Sequence, residues 1–189
     1  MIENTLLFLR DQINNYLRIR LEITDDIAVI DNIVTQSGDL NATELCISLI
    51  NVEEEKIHKV QSPYKIQENG DVNLVNPEIK LNLYVLFTAN FGASNYGEAL
   101  RFLSYVIGYF QSHQVFNHKT APTLHEQIEK LIVELVTLSF EQQNHLWGFI
   151  GAKYIPSVLY KVRLIGVADE ALLQETSPIT NINANLSQS

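Results

Sequence analysis

The chain has 189 residues, 46% of them hydrophobic and 19% charged, which is enough to bury a core and excludes a wholly disordered protein. Its 22 acidic and 13 basic residues give a net charge of −9 with no basic run. We therefore expect no nucleic-acid partner, because phosphate binding needs clustered Lys and Arg. No apolar run of about 18 residues occurs, and Glu3 and Asp11 interrupt the N-terminal segment, so the sequence predicts neither membrane insertion nor a secretion signal.

The first part of the chain is predicted to contain one helix and two strands. Apolar residues three and four positions apart predict a helix over residues 2–20. β-Branched residues before a turn at residues 37–39 predict a strand over residues 28–34. Alternating apolar residues predict a second strand over residues 44–52. The single cysteine, Cys46, lies in that strand and is interpreted as a buried, unreactive thiol rather than a nucleophile.

Three consecutive glutamates, Glu53, Glu54 and Glu55, follow the second strand and begin a polar stretch that reaches residue 76. Paired carboxylates serve in acid–base catalysis. Successive residues that leave a strand point to opposite sides, however, so three in a row do not converge on one substrate. The glutamates are therefore interpreted as a solvated or interfacial run of charge.

The middle of the chain carries the clearest strand and the most apolar helix. In the strand pattern of residues 80–87 one face is wholly apolar and the other becomes apolar halfway. A loop over residues 90–95 leads to a helix over residues 96–112, whose apolar side chains span an arc of roughly 220°. An ordinary surface helix needs little more than about 100°, so either the domain wraps this helix or a second chain covers the remainder. Its Tyr105 and Tyr109 are candidate interface residues.

The segment that follows a loop at residues 117–123 permits two structures. The apolar spacing over residues 128–138 fits a helix or a strand, and frequent β-branched residues favour the strand. Ser139 and Gln142 have the spacing of a capping box, in which each side chain bonds the backbone N–H at the other end of the first helical turn. This pair predicts a helix that continues to residue 151.

The end of the chain completes the predicted fold. Alternation after Pro156 predicts a last strand over residues 157–167. The order of helices and strands indicates an α+β fold, a mostly antiparallel sheet with packed helices. Residues 1–173 are expected to form one domain. Residues 174–189 consist largely of Asn, Ser, Thr and Gln without a pattern, and are expected to form a disordered tail.

The sequence contains no recognisable motif for catalysis or for binding a metal or cofactor. The five histidines match no zinc pattern, and one cysteine supplies no ligand pair. These histidines are His58, His113, His118, His125 and His145. Phosphate-binding loops and nucleophile elbows are also absent. Trp147 is interpreted as a core or interface residue rather than a ligand platform. We therefore expect a structural or binding protein, not an enzyme, with no cofactor and no metal.

Ten segments of the chain, in order, resemble the cap, or tail-terminator, proteins of extracellular contractile injection systems of the virulence-cassette and antifeeding-prophage type. The resemblance as a whole extends over roughly residues 3–167, nearly the whole predicted domain. The longest are PEIKLNLYVLFTANF at residues 77–91, EALRFLS at 98–104 and PSVLYKVR at 156–163. The others are NVEEE at 51–55, FQ at 110–111, VF at 115–116, EL at 134–135, LSF at 138–140, HLW at 145–147 and GAKY at 151–154.

The resemblance implies a fold similar to phage tail terminators and a hexameric ring made of copies of this chain. Such a ring ends the inner tube and holds the last layer of the sheath, so tube protein and sheath protein are the implied partners. Assembly is implied in the bacterial cytoplasm, for a particle that is either released or membrane-anchored. The resemblance supplies no catalytic residue.

The candidate contacts within such a ring combine charge with apolar surface. Lys153, Lys161 and Arg163 form a basic patch that is expected to pair with the three glutamates of a neighbouring subunit. Two alternatives to a cap stay open. The chain is then either a baseplate or anchoring adaptor of the same machine, or a small enzyme that uses its histidines.

Overall fold

A computed structural model of the chain describes residues 1–41, 43–55, 64–66, 72–74, 80–166 and 174–176. This part of the chain contains α-helices, strands and a short 3₁₀ turn, Ala93–Asn95. The elements are α1 Ile2–Leu21, β1 Ala28–Ile30, β2 Leu45–Glu54, β3 Tyr64–Ile66, β4 Val72–Leu74, β5 Lys80–Ala89, α2 Tyr96–Ser112, β6 Val115–Asn117, β7 Ile128–Val136, α3 Phe140–Ile150, β8 Ser157–Gly166 and β9 Gln174–Thr176.

Six strands form the main sheet in the order β1-β2-β5-β8-β7-β6. Neighbouring strands are antiparallel except for β1 and β2, which run parallel. The strands β3, β4 and β9 pair in a separate antiparallel sheet. The fold is therefore α+β with a mostly antiparallel sheet, which confirms the class predicted from the sequence.

The main core lies between one face of the six-stranded sheet and the helices α1 and α2. On β5 the alternating residues Leu83, Val85 and Phe87 point to this side and are completely buried. The ring of Phe87 contacts the ring of Phe110 on α2 at 5.6 Å and that of Tyr160 on β8 at 5.7 Å, both edge-to-face. Such aromatic contacts add to the free energy gained by burial and fix α2 on the sheet.

A smaller core lies on the opposite face of the sheet, beneath α3. Leu86 and Leu159 are register partners on β5 and β8, and they pack with Trp147 of α3 and with Ile33. Because Leu86 lies between two residues that point to the main core, its side chain points to the other face. The apolar second half of the β5 pattern is thus covered by α3.

The helices and long strands lie close to their predicted positions. The predicted helix at residues 96–112 is α2, and β7 confirms the strand rather than the helix for the ambiguous segment. The capping box of α3 is present. The Ser139 Oγ accepts a hydrogen bond from the Gln142 N–H at 3.2 Å, and the Gln142 Oε1 accepts one from the Ser139 N–H at 2.9 Å.

The structure corrects the predicted strand at residues 28–34, because β1 ends at Ile30. The chain then turns: the N–H of Thr35 bonds the carbonyl of Asp39, and Gly38 adopts φ 87°. Only an isolated bridge joins Val34 to Leu40. The β-branched residues that predicted a longer strand are therefore partly used in a tight turn.

Several short strands of the structure were not predicted from the sequence. β3 and β4 lie within the segment described as a polar stretch, and β6 ends at the first residue of the predicted loop at residues 117–123. The first three residues of the predicted tail form β9, which pairs with β4. The rest of that tail, residues 177–189, and His58 lie outside the described residues. The division into a domain and a tail stays a prediction.

Candidate interaction surfaces

The face of the sheet that carries α3 continues, beyond the helix, as a polar surface. Strand register places Glu53 beside Asn82, and Asn82 beside Arg163, in one row across β2, β5 and β8. A second row holds Tyr84 and Lys161. We call this surface the polar sheet face; it comprises Glu53, Glu55, Asn82, Tyr84, Glu134, Lys161 and Arg163.

Arg163 is held between two carboxylates of its own chain. Its Nη2 donates to the Oε2 of Glu134 at 3.1 Å, and its Nε lies 4.0 Å from the Oε2 of Glu55. Glu55 is only 9% exposed and also accepts a hydrogen bond from the Asn82 Nδ2 at 3.1 Å. The structure therefore brings together Glu55 and Arg163, two residues singled out in the sequence, but within one subunit.

The outer part of the polar sheet face remains open to solvent. Glu53 is exposed and accepts a hydrogen bond from the Tyr84 hydroxyl at 3.0 Å. Desolvation and the nearby Glu53 carboxylate raise the pKa of Tyr84, so its hydroxyl remains a donor. Glu54 is exposed, and Lys161 is half-buried without a salt bridge in the described part of the chain.

The two candidate tyrosines of α2 differ in burial. Tyr109 is buried, and its hydroxyl donates to the Oε1 of Gln12 at 2.7 Å, which ties α2 to α1. Burial raises the pKa of Tyr109 to about 12. Tyr105 is half-buried, with its ring 6.0 Å from that of Phe102. Their assignment to an interface stays a prediction, for which Tyr105 is the more accessible residue.

Only part of the apolar arc of α2 is covered by the described residues. Residues such as Phe102, Val106 and Phe110 are buried in the cores. Three large apolar side chains beside the buried arc remain 56%, 45% and 37% exposed: Tyr96, Leu100 and Ile107. These three lie within a narrow arc of the helix, since their spacing of four and seven residues returns to the same side. We call them the α2 apolar stripe.

A second apolar surface surrounds α3. An open groove of about 740 Å³ runs along this helix and past its C-terminal turn. Its described lining residues are Phe140, Gln143, Asn144, Trp147, Gly148, Gly151, Ala152, Lys153 and Tyr154. Trp147 is buried beneath it, with its ring 5.6 Å from that of Tyr154. We call this the α3 groove.

Two residues of the α3 groove, Trp147 and Lys153, are candidates from the sequence, whereas the aromatic residues at its rim are not. Phe140 is 92% exposed and Tyr154 is 55% exposed. A signal was present in the sequence, because Phe140 and Trp147 are seven residues apart and therefore share a side of the helix. Whether that side is buried or open depends on the tertiary structure.

The described histidines do not converge. The Nδ1 of His113 lies 3.1 Å from the carbonyl oxygen of Tyr109, and that of His125 accepts a hydrogen bond from the N–H of Gln127. No group of three His, Cys, Asp or Glu residues in the described ranges is arranged to hold a metal ion. Burial raises the pKa of the Cys46 thiol, which suits an unreactive side chain. Within the described residues, no helix has the length and apolarity to span a membrane.

Comparisons with known proteins give one family and a shared fold. The profile of the family described as Pvc16_N, the Pvc16 N-terminal domain, matches residues 5–181. The structure is similar to the sheath/tube terminator, in the extended state, of PVC, an extracellular contractile injection system. Here the TM-score is 0.57, with 16% identity over 95% of this chain and 63% of that one.

It is also similar to the tube-terminating cap of the anti-feeding prophage, AFP. Here the TM-score is 0.61, with 12% identity over 96% of this chain and 61% of that one. A comparison with curated proteins gives no match. The chain thus spans less than two thirds of the two similar chains, and at these identities the likeness shows a common fold.

Proposed function

Because this chain belongs to the Pvc16 N-terminal domain family, we propose that it is a structural cap of a contractile injection system. In this role it ends the inner tube and holds the last layer of the sheath. The observation that carries the proposal is the fold, which matches a sheath/tube terminator and a tube-terminating cap over at least 95% of the chain. Neither similar structure is a baseplate adaptor or an enzyme, so these alternatives are not favoured.

The physical task of a cap follows from the way a tube grows. A tube of stacked rings exposes, at its end, the surface that binds the next ring, and this heterologous contact does not close by itself. A cap must bind that surface on one side without presenting it again on the other. This task requires binding surfaces and no catalytic group.

We propose that copies of the chain form the ring, with six as the expected number, through the α2 apolar stripe. Tyr96, Leu100 and Ile107 expose an apolar strip on the helix that packs against the main core. Covering such a strip with a neighbouring subunit is favourable because apolar surface leaves water. On the polar sheet face, Arg163 is paired with Glu134 and Glu55 of its own chain, so Lys161 is the better candidate for pairing with Glu53 or Glu54 of a neighbour.

Purified tube protein provides a direct test. Tube polymerisation is followed by light scattering and electron microscopy with and without the purified full chain. We expect the chain to bind at tube ends and to stop elongation at substoichiometric amounts, and native mass spectrometry should show a ring, expected to be a hexamer. Tubes that elongate normally and carry no density at their ends would reject the proposed function.

A further inference from the structure

The helix α3 exposes more apolar surface than a helix needs to dock on a sheet. Of the eleven residues of this helix, only Trp147 is buried, whereas Phe140 is 92% exposed. Phe140, Trp147, Gly148 and Gly151 follow spacings that place them on one side of the helix, where they line the α3 groove. A volume of about 740 Å³ accommodates several side chains.

The glycine at position 148 has no role in the packing of the described chain. Apart from its chain neighbours and the nearby backbone of α3, no described atom lies within 4 Å of the position that a Cβ would take there, although Gly in a helix interior costs about 1 kcal/mol relative to Ala. Gly151 differs, because it ends the helix with φ 75°, a conformation that favours glycine. The absence of a side chain at Gly148 leaves the backbone of α3 open to close approach by another chain.

The described residues that line the α3 groove include a positive charge and no negative charge. Lys153 is exposed and has no ion pair within the described ranges, and no acidic residue is among the nine described residues that line the groove. Gln143 and Asn144 add amide groups that both donate and accept hydrogen bonds. On a chain with net charge −9, this local surface selects an occupant with negative charge beside an apolar group.

We propose that the α3 groove binds an extended polypeptide segment of a neighbouring particle protein, in which a large apolar residue lies next to an acidic one. The apolar side chain packs among Phe140, Trp147 and Tyr154, and the carboxylate pairs with Lys153. The amides of Gln143 and Asn144 bond the backbone of the segment, which passes over Gly148. This inference rests on the proposed function, because it names the kind of contact by which the cap holds its neighbours.

The full chain offers its own reporter, since Trp147 is its one tryptophan. The probe is an eight-residue peptide, blocked at both ends, with two aspartates that flank a Leu-Phe pair; the matched peptide has lysines in place of the aspartates. We expect the acidic peptide to change Trp147 emission in a saturable way and the basic peptide to bind at least tenfold more weakly. Raising the salt concentration should weaken binding of the acidic peptide.

Variants of the chain distinguish peptide binding in the α3 groove from non-specific binding. Lys153→Glu should weaken binding of the acidic peptide at least tenfold, and Gly148→Leu, which fills the groove, should abolish it. Phe149→Ala is the matched control, because Phe149 is 82% exposed but lies nine residues from Phe140, on the opposite side of α3; it should bind like the natural chain. Circular dichroism of each variant checks that it is folded.

Three results overturn the inference: no saturable change with either peptide, equal binding of both, or an unchanged affinity in Lys153→Glu. A change in Trp147 emission with protein concentration alone would mean that a second copy occupies the groove, and would also overturn it. These results leave the proposed function standing if the same protein still stops tube elongation. Failure of the two proposals is therefore distinguishable.

Discussion

The half-buried Arg163 shows how one residue can be important to the fold while resembling a surface charge in the sequence. It joins β7 to the end of β2 by contacting Glu134 and Glu55, which itself bonds Asn82. Removing one partner from such a cluster leaves a poorly solvated carboxylate, a larger loss than the cost of breaking an exposed ion pair.

Replacing Arg163 with Met should lower the free energy of unfolding by roughly 2 kcal/mol, because Glu55 and Glu134 then lose the positive charge of Arg163, and Glu55 is in a site with little water. The measurement is urea denaturation at neutral pH. Lys161→Met is the matched control: it is a half-buried cation on the same strand with no ion pair in the described ranges, and should change stability by less than about 0.5 kcal/mol. Equal effects of the two substitutions would contradict this role of Arg163.

The buried phenol of Tyr160 should make the folded chain less stable in alkaline solution. Burial raises its pKa from 10.0 to about 12 in the folded chain. Between these two values the unfolded chain has lost the phenolic proton and the folded chain has kept it, so stability is complete below about pH 10 and falls as the pH rises towards 12.

Tyr160→Phe should therefore reduce the loss of stability between pH 10 and pH 12 by about 1–3 kcal/mol. Denaturant titrations at a series of pH values measure it. Tyr154→Phe, at a ring that is 55% exposed, is the control expected to keep the natural pH dependence. If the free energy of unfolding of Tyr160→Phe falls between pH 10 and pH 12 as steeply as that of the natural chain, the Tyr160 phenol does not contribute to the alkaline loss of stability.

Among the elements, α1 packs on the sheet through its apolar residues and is also hydrogen-bonded to β1 by the buried amide of Asn14. The Nδ2 of Asn14 donates to the carbonyl of Ala28 at 2.9 Å, and its Oδ1 accepts from the N–H groups of Ala28 at 2.8 Å and Ile27 at 3.1 Å. These bonds satisfy the backbone of the edge strand β1 on the side that faces the helix.

Asn14→Ala should lower the free energy of unfolding by about 2–4 kcal/mol, because it leaves buried backbone groups without partners. The neighbouring Asn15 is exposed, and Asn15→Ala serves as the control with an expected change below about 0.5 kcal/mol. Thermal and urea unfolding measure both variants. An Asn14→Ala chain as stable as the control would show that water or relaxation replaces the lost bonds.

Substitution by Ala should have opposite effects at Gly148, inside α3, and at Gly151, which follows the last residue of the helix. Gly148→Ala should raise the free energy of unfolding by about 0.5–1 kcal/mol, since Ala favours the helix and the added methyl meets no described atom beyond its chain neighbours and the backbone of α3. Gly151→Ala should lower it by about 1 kcal/mol, because φ 75° strains any residue with a Cβ. Urea denaturation of the two variants is the check, and effects of the same sign would contradict the account of this helix.

Prediction from the sequence succeeded where local patterns were strong. The spacing of apolar residues determined α1 and α2 within one residue, and the Ser139–Gln142 pair determined the start of α3. It failed for three-residue strands such as β3 and β6, which exist because a partner strand supplies hydrogen bonds. The sequence also could not predict that Arg163 contacts Glu55 of its own chain, because this contact depends on strand order and register rather than on nearby sequence.

At the scale of the whole molecule, the sheet separates two kinds of surface. One face carries α1 and α2, with the α2 apolar stripe exposed beside the main core. The opposite face carries α3, its groove and the polar sheet face. Two different exposed surfaces on opposite sides of one subunit suit the proposed ring, which must contact both its own copies and the layers it terminates.

The length of the tube in assembled particles tests the central claim most directly. Particles are produced from the complete gene set with and without this protein, and their tubes and sheaths are measured by electron microscopy. If the chain is the cap, its removal should give tubes and sheaths of widely scattered length, and restoring it should return a single length. Tubes of unchanged, uniform length without the protein, or an almost complete loss of tubes, would contradict the account.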